Sequence, residues 1–313
     1  MRTVATATRS AVVVNPSKVT DLDQRRREIC AALAGAGWAE PLWIETTPDD
    51  PGCGQTRQAV AAGAQVVFAC GGDGTVMACA TELVNTPAAV DVALAVIPSG
   101  TGNLFAANLG LPSEVKAAIA VATSGARRRV DVGVVGKRCF TVMAGMGFDA
   151  QMLAATPEQL KKRLGWPAYV VAALRYLRHR PMRVRIRLDG GTPLRRRART
   201  VLVANVGRLQ GGIPLLPDAE PDDGCLDVAV LTPHKLGHWL SLAWGVLGRR
   251  PIVPRMETFR AERIEVTSDH EQPRELDGDV IEAGRSLSVM VKPGALCLCV
   301  PDEPALEGGG TCS

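Results

Sequence analysis

The chain has 313 residues, 46% of them hydrophobic, and a formal net charge of +4, enough for two domains with sizeable cores. The modest charge and the 4% aromatic content exclude the concentrated basic surface and stacking aromatics of a nucleic-acid binder. Nine cysteines without a Cys-x-x-Cys pair, and four histidines without metal spacing, argue against a zinc site or disulfide framework and for reduced cytosolic thiols.

In chain order, Arg2 and Arg9 precede only the short apolar run Ala11 to Val14, too brief for a signal-peptide core. Further strands are predicted at Pro41 to Ile44, Val66 to Cys70 and Val92 to Ile97, alternating with helices near Asp21 to Ala34, Thr56 to Ala62 and Val76 to Val84. This alternation predicts an α/β domain with a parallel sheet flanked by helices over residues 1–125. After a helix at Ser113 to Thr123 the texture changes to short, turn-bounded strands: Val132 to Val135, Met182 to Leu188, Thr200 to Asn205, Leu226 to Leu231, Arg263 to Thr267 and Ser286 to Val291. A mainly antiparallel β domain is therefore expected over 126–300, with helices near Pro157 to Leu177 and His234 to Leu247. Its last strand is free to return to the first domain. A flexible tail is expected over 301–313, and no window approaches the ~18 apolar residues of a membrane-spanning helix.

Two glycine-rich loops carry the chemistry. Gly71-Gly72-Asp73-Gly74-Thr75 follows the strand Val66 to Cys70 and opens a helix, so bare backbone amides and a helix N-terminus favour an anion there. A carboxylate beside phosphates needs an intervening metal, which makes Asp73 a candidate for Mg²⁺. Pro98-Ser99-Gly100-Thr101-Gly102-Asn103 follows the next strand, and two such loops at strand carboxyl ends would face one crevice. Neither a P-loop nor a dinucleotide fingerprint is present.

These loops, taken with Asn15-Pro16-Ser17, Asp131-Val132-Gly133, Gly145-Met146-Gly147-Phe148-Asp149-Ala150, Asp222-Asp223-Gly224-Cys225-Leu226-Asp227 and Leu276-Asp277-Gly278-Asp279, resemble the diacylglycerol kinase catalytic-domain lipid kinases. That family includes bacterial diacylglycerol kinases and sphingosine and ceramide kinases, and the resemblance runs over nearly the whole chain. It implies ATP-dependent, Mg²⁺-assisted phosphorylation of a lipid hydroxyl in a cleft between the two domains.

Phosphoryl transfer to a hydroxyl needs a positioned carboxylate base. Asp277 and Asp279 flank Gly278, and the family places its base in a matching Asp-Gly-acid element; which of the two acts stays open, and Asp-Gly is equally the favoured pair of a hairpin turn. By resemblance, Thr101 and Asn103 touch the nucleotide or its metal, Asn15 with Ser17 lines the purine and ribose side, and Thr46 or Thr47 belongs to the same site. Asp131 is expected to join an acid–water–Mg²⁺ network near the phosphates. Here the chain departs from many relatives, carrying Leu104 where they have an aspartate. The turn at Asp223, with carbonyls near Glu220 and Cys225, resembles a structural Mg²⁺ site; a solvated acidic turn is the competing reading.

Between Leu174 and Thr200 lie ten arginines and one aspartate. Arg183, Arg185 and Arg187 read as a solvated strand face or, beyond that, as a patch for an anionic membrane, with Trp239, Leu240, Leu242, Trp244 and Leu247 forming either a core stripe or an apolar wedge. The expected protein is a cytoplasmic, transiently membrane-associated kinase acting on diacylglycerol or a sphingoid relative, with a homodimer left open. NAD kinase and a lipid-binding homologue without catalysis are the rivals.

Overall fold

The computed structural model describes residues 8–147, 181–209, 213–232 and 255–302. The helices expected near 157–177 and 234–247, the motif residues from Phe148 to Ala150, the Trp239 to Leu247 stripe and the tail beyond Asp302 lie outside the described residues.

The N-terminal unit alternates strand and helix: β1 (Ser10–Val14), α1 (Leu22–Gly35), β2 (Leu42–Glu45), α2 (Cys53–Ala61), β3 (Val66–Gly71), α3 (Asp73–Asn85), β4 (Ala93–Pro98), α4 (Leu104–Asn108) and α5 (Val115–Ser124). All four strands pair in parallel in the order β2-β1-β3-β4. β1, β3 and β4 are buried on both faces, as a parallel sheet covered by helices requires. Val12, Val14 and Phe68 meet Ile29 and Leu33 of α1 and Ile119 of α5. Val13 and Val67 meet Ala59 of α2 and Val76, Cys79 and Leu83 of α3. The Asp21 carboxylate caps α1, accepting from Gln24 N–H at 2.8 Å.

The second unit is antiparallel. It comprises β5 (Ala126–Val135), β6 (Arg138–Phe140), β7 (Met143–Met146), β8 (Met182–Leu188), β9 (Leu194–Ala198), β10 (Thr200–Ala204), β11 (Arg208–Leu209), β12 (Ile213–Pro214), β13 (Leu226–Leu231), β14 (Met256–Ala261), β15 (Arg263–Leu276) and β16 (Asp279–Val300). Its core is the run of alternating inward residues: Met182, Val184 and Ile186 of β8, Val201 and Val203 of β10, Val228 and Val230 of β13, Ile264 and Val266 of β15, and Leu287 and Val289 of β16.

One strand joins the units. β16 leaves β15 in a hairpin, and its far end lies parallel to β4, with Cys297 opposite Ala93 and Leu298 opposite Leu94. β5 accompanies it, pairing Ala126 with Val300 at one end and Val134 with Met290 at the other. The path β14-β13-β10-β7-β15-β16-β4-β3-β1-β2, with β5, β6, β8 and β9 pairing off it, is thus one continuous 14-stranded sheet. Crossing between the units as a hydrogen-bonded pair, β5 and β16 fix where the second unit stands over the strand ends of the first.

Candidate active site

The carboxyl ends of β1 to β4 form one rim. Strand order reverses between β1 and β3, the switch point at which open α/β sheets bind ligands. Asn15 follows β1 there, and its Oδ1 accepts from Ser17 N–H at 3.1 Å and Ser17 Oγ at 2.8 Å. Its Nδ2 reaches Thr75 Oγ1 at 3.4 Å, tying the Asn15-Pro16-Ser17 turn to the first glycine loop. After β2, Thr46 is buried and its N–H donates to Val14 C=O at 2.8 Å; Thr47 accepts from Asp50 N–H through its hydroxyl. Gln55 of α2 holds this segment from behind, donating to the carbonyls of Glu45 and Asp50.

The two glycine loops touch. Ser99 N–H donates to Gly71 C=O at 2.8 Å, and a Cβ on Gly100 would stand 2.6 Å from Cα of Gly72. Asn103 closes the second loop on itself: its Oδ1 accepts from Gly100 N–H, its Nδ2 donates to Gly100 C=O at 2.7 Å, and it takes a left-handed φ of 47°. Its side chain therefore shapes the loop, and Thr101 within it is exposed. Asp73 has a second employment. Its Oδ1 accepts from Leu104 N–H at 2.6 Å and Phe105 N–H at 3.4 Å, capping α4, and leaves Oδ2 facing away from that helix end. The position that is Leu104 here contributes its backbone amide to this cap, and its side chain packs on the core.

The two acids of the hairpin differ completely. Asp277 and Gly278 occupy a two-residue turn with φ of 49° and 88°, the twist that joins β15 to β16. The Asp277 carboxylate points inward and accepts from Thr141 N–H at 2.8 Å, Thr141 Oγ1 at 3.0 Å, Val142 N–H at 2.9 Å and Met143 N–H at 2.9 Å. Burial pushes it up to about 6 against the pull of those donors. Asp279 points out of the turn toward the first glycine loop: a Cβ on Gly74 would stand 3.7 Å from its Oδ2. Partial burial raises the Asp279 carboxyl, Arg138 draws it down, and Asp73 raises it further. Asp73 and Asp279 are thus the pair of acids that feel each other across the loop, whereas Asp277 is structural.

Beside Asp279 opens a groove of about 440 Å³, walled by Val135, Leu276 and Ile281 with Arg138, Arg274, Ser286 and Ser288 at its polar edge. Leu276 of its wall is the cross-strand partner of Asp279, which sets the groove next to that turn.

Asp131 lies elsewhere than in the phosphate network expected for it. It is 2% exposed, its Oδ2 accepts from Gly224 N–H at 2.7 Å, and its Oδ1 accepts from Gly294 N–H at 2.6 Å. Both oxygens brace backbone, which binds Asp131 to the acidic turn of residues 220–225. Within that turn the Asp223 carboxylate accepts from Cys225 N–H at 2.9 Å and is met by the half-exposed Arg260 guanidinium. Glu220 is exposed, and burial pushes the Cys225 thiol up; the ligands expected from these two residues are backbone carbonyls. Among the described residues no three His, Cys, Asp or Glu side chains converge as a metal cage. At the glycine loops the donor set is different: Asp73 Oδ2 and Asp279 are hard oxygens beside bare amides, which suits a hydrated Mg²⁺ carried with phosphates.

Sequence reasoning missed Thr141, Val142 and Met143 as the cradle of Asp277, Arg138 beside Asp279, and Arg260. Asn205, 1% exposed, also went unread; its Nδ2 donates to the carbonyls of Asp131 and Thr141 and so supports that cradle.

Glycine loops at the rim of a parallel α/β sheet, faced by a carboxylate from an antiparallel β unit, suit phosphoryl transfer. Residues 9–135 match the diacylglycerol kinase catalytic domain, and residues 141–300 match the YegS C-terminal NAD kinase beta sandwich-like domain. The chain belongs to the diacylglycerol kinase catalytic-domain family of lipid kinases. A probable lipid kinase YegS-like protein of Chromohalobacter salexigens is 34% identical over 259 residues, covering 80% of each chain. A putative diacylglycerol kinase from Bacillus anthracis shares the fold with a TM-score of 0.76 at 23% identity, over 95% of this chain and 98% of that one. An NAD kinase from Archaeoglobus fulgidus in complex with ATP superposes at a TM-score of 0.50 and 15% identity, over 93% of each chain. Among the described residues no helix is long and apolar enough to cross a membrane.

Proposed function

We propose that the chain transfers the γ-phosphate of ATP to a hydroxyl of diacylglycerol or a related sphingoid lipid, with Asp279 as the base. The observation that carries this reading is the Asp279 carboxylate beside Gly74, with its cross-strand partner Leu276 in the wall of the groove. The amides of Gly71, Gly72, Gly74 and Gly100 and the start of α3 cradle the phosphates, with Thr75, Asn15 and Ser17 on the nucleoside side and Thr46 or Thr47 beyond them. Mg²⁺, held by Asp73 Oδ2 and water with Asp279 nearby, would supply charge neutralisation for the triphosphate.

The groove takes the acceptor, its apolar wall against Val135, Leu276 and Ile281, so that the hydroxyl comes to rest at Asp279. Asp279 accepts the hydroxyl proton as the oxygen forms its bond to phosphorus and the bond to the β-phosphate oxygen breaks. Asp277 does no proton transfer; it anchors the turn that aims Asp279. The test is transfer of labelled γ-phosphate to diacylglycerol, ceramide, sphingosine, phosphatidylinositol and NAD by wild type, Asp277→Asn and Asp279→Asn. Product on one lipid that vanishes in Asp279→Asn with nucleotide binding intact supports the reading. Product on NAD alone, or an active Asp279→Asn, overturns it.

A further inference from the structure

The hairpin β8–β9 carries a charge arrangement that the site does not use. β8 turns Met182, Val184 and Ile186 into the core and Arg183, Arg185 and Arg187 outward, and β9 turns Arg195 and Arg197 outward. The register sets Arg183 directly opposite Arg197 and Arg185 directly opposite Arg195. Directly opposed residues share a face with Cβ atoms roughly 5 Å apart, and like charges so placed are destabilising. A strand pair that only had to be solvated would gain by alternating signs.

The acids within reach are engaged elsewhere. Glu265 of β15 pairs with Arg187 at 3.2 Å. Asp269 accepts from Arg183 N–H at 2.9 Å and meets the His270 ring at 2.8 Å. Arg196, on the inward side, pairs with Glu257 at 2.9 Å. Among the described residues no carboxylate forms an ion pair with Arg183, Arg185, Arg195 or Arg197. Among the described residues β9 is also an edge strand, hydrogen-bonded to β8 alone, so this face lies at the margin of the described sheet.

Four guanidinium groups on one sheet face, without an ion pair among the described residues, match an extended anionic partner, and each can take two phosphate oxygens at once. The rest of the face limits what that partner is. Thr267 lies opposite Arg185, and Ser286 lies opposite Thr267, so the neighbouring surface is small and polar. Among the described residues it offers no aromatic platform for nucleic-acid bases and, apart from the exposed Met290 opposite Arg263, no large apolar anchor of the kind that centres a protein interface. A two-dimensional array of phosphates needs neither.

We propose that the outward face of β8–β9, through Arg183, Arg185, Arg195 and Arg197, is a docking surface for an anionic phospholipid bilayer. Docking is electrostatic and reversible, and it is independent of the catalytic reading, since none of these arginines belongs to the site around Asp279.

The experiment is cosedimentation of the full chain with phosphatidylcholine vesicles made with and without phosphatidylglycerol, at low and high salt. The variants are Arg195→Gln/Arg197→Gln, Arg195→Lys/Arg197→Lys and Arg187→Gln. Wild type is expected to sediment with the anionic vesicles alone and to be released by salt. The double glutamine variant should bind about 25-fold more weakly, at roughly five-fold per arginine. The double lysine variant should keep most of the affinity, Arg187→Gln should change it less, and the thermal midpoint should hold or rise as like charges leave. Equal vesicle binding by wild type and the double glutamine variant overturns the proposal. So does wild type that ignores anionic vesicles, or that binds a single-stranded oligonucleotide through these arginines and not the vesicles.

Discussion

A Cβ on Gly100 would stand 2.6 Å from Cα of Gly72, so the two phosphate loops meet backbone to backbone. Ser99 N–H locks that contact by donating to Gly71 C=O at 2.8 Å. Two loops reached by separate strands thereby act as one cradle, whose amides keep fixed spacing.

Gly100→Ala must separate them. The loops sit at the strand ends, outside the packed sheet, so the fold should survive with its thermal midpoint nearly unchanged. A displacement of about 1 Å in a positioning element can cost on the order of 100-fold in turnover. The expected result is a fall of at least ten-fold in kcat/KM for ATP, measured by nucleotide titration. A variant with wild-type kinetics would show that the contact is not needed.

Asp277 and Asp279 should respond oppositely to the same substitution. Asp277→Asn keeps one accepting oxygen and turns its N–H₂ on the two donors that met the other, leaving buried donors without acceptors at about 2–4 kcal/mol. Denaturant unfolding should show that loss. Asp279→Asn touches no such network and should leave unfolding unchanged while kcat falls about 10²–10⁴-fold. If both variants were equally stable and equally inactive, Asp277 would have to be counted among the reacting groups.

Local chemistry made the glycine loops legible in the sequence, and period-2 alternation fixed β8 and β13 at the bounds the structure gives. What sequence could not supply was long-range pairing. Arg127 to Arg129 lie before the strand expected at Val132 to Val135, yet they open β5, because the partner that orders them is the far end of β16. The Asp277 cradle lies 136 residues away at Thr141, so turn and base motif were indistinguishable until the carboxylates were seen to face opposite ways. Asp131 was misplaced for the same reason: nothing near it in sequence marks Gly224 and Gly294 as its partners.

The acid limb of the rate profile should lie higher than an ordinary aspartate would give. Asp279 must be ionised to accept a proton, and its pKa is raised by burial and by Asp73 while Arg138 lowers it. Activity is therefore lost on acidification at a higher pH than for a solvated carboxylate. Arg138→Gln removes the lowering influence and should move the limb of kcat/KM to still higher pH. A limb that stays in place or moves down would separate Arg138 from the base.

Stability should carry the mark of Asp277 with a definite sign. Its carboxyl ionises at 3.8 ordinarily and at about 6 in the folded chain, so between those values the native state holds a proton that the unfolded chain has released. Proton binding that favours the native state makes stability fall as pH rises. The contribution of Asp277 is thus fully present below pH 3.8, declines to about pH 6 and is level above it, a span of about 3 kcal/mol. Urea unfolding at pH 4.5, 5.5 and 7 should show this decline in wild type and its absence in Asp277→Asn, which has no proton to lose. Parallel pH dependences in the two proteins would mean that the four donors hold Asp277 ionised throughout, and that the decline belongs to other groups.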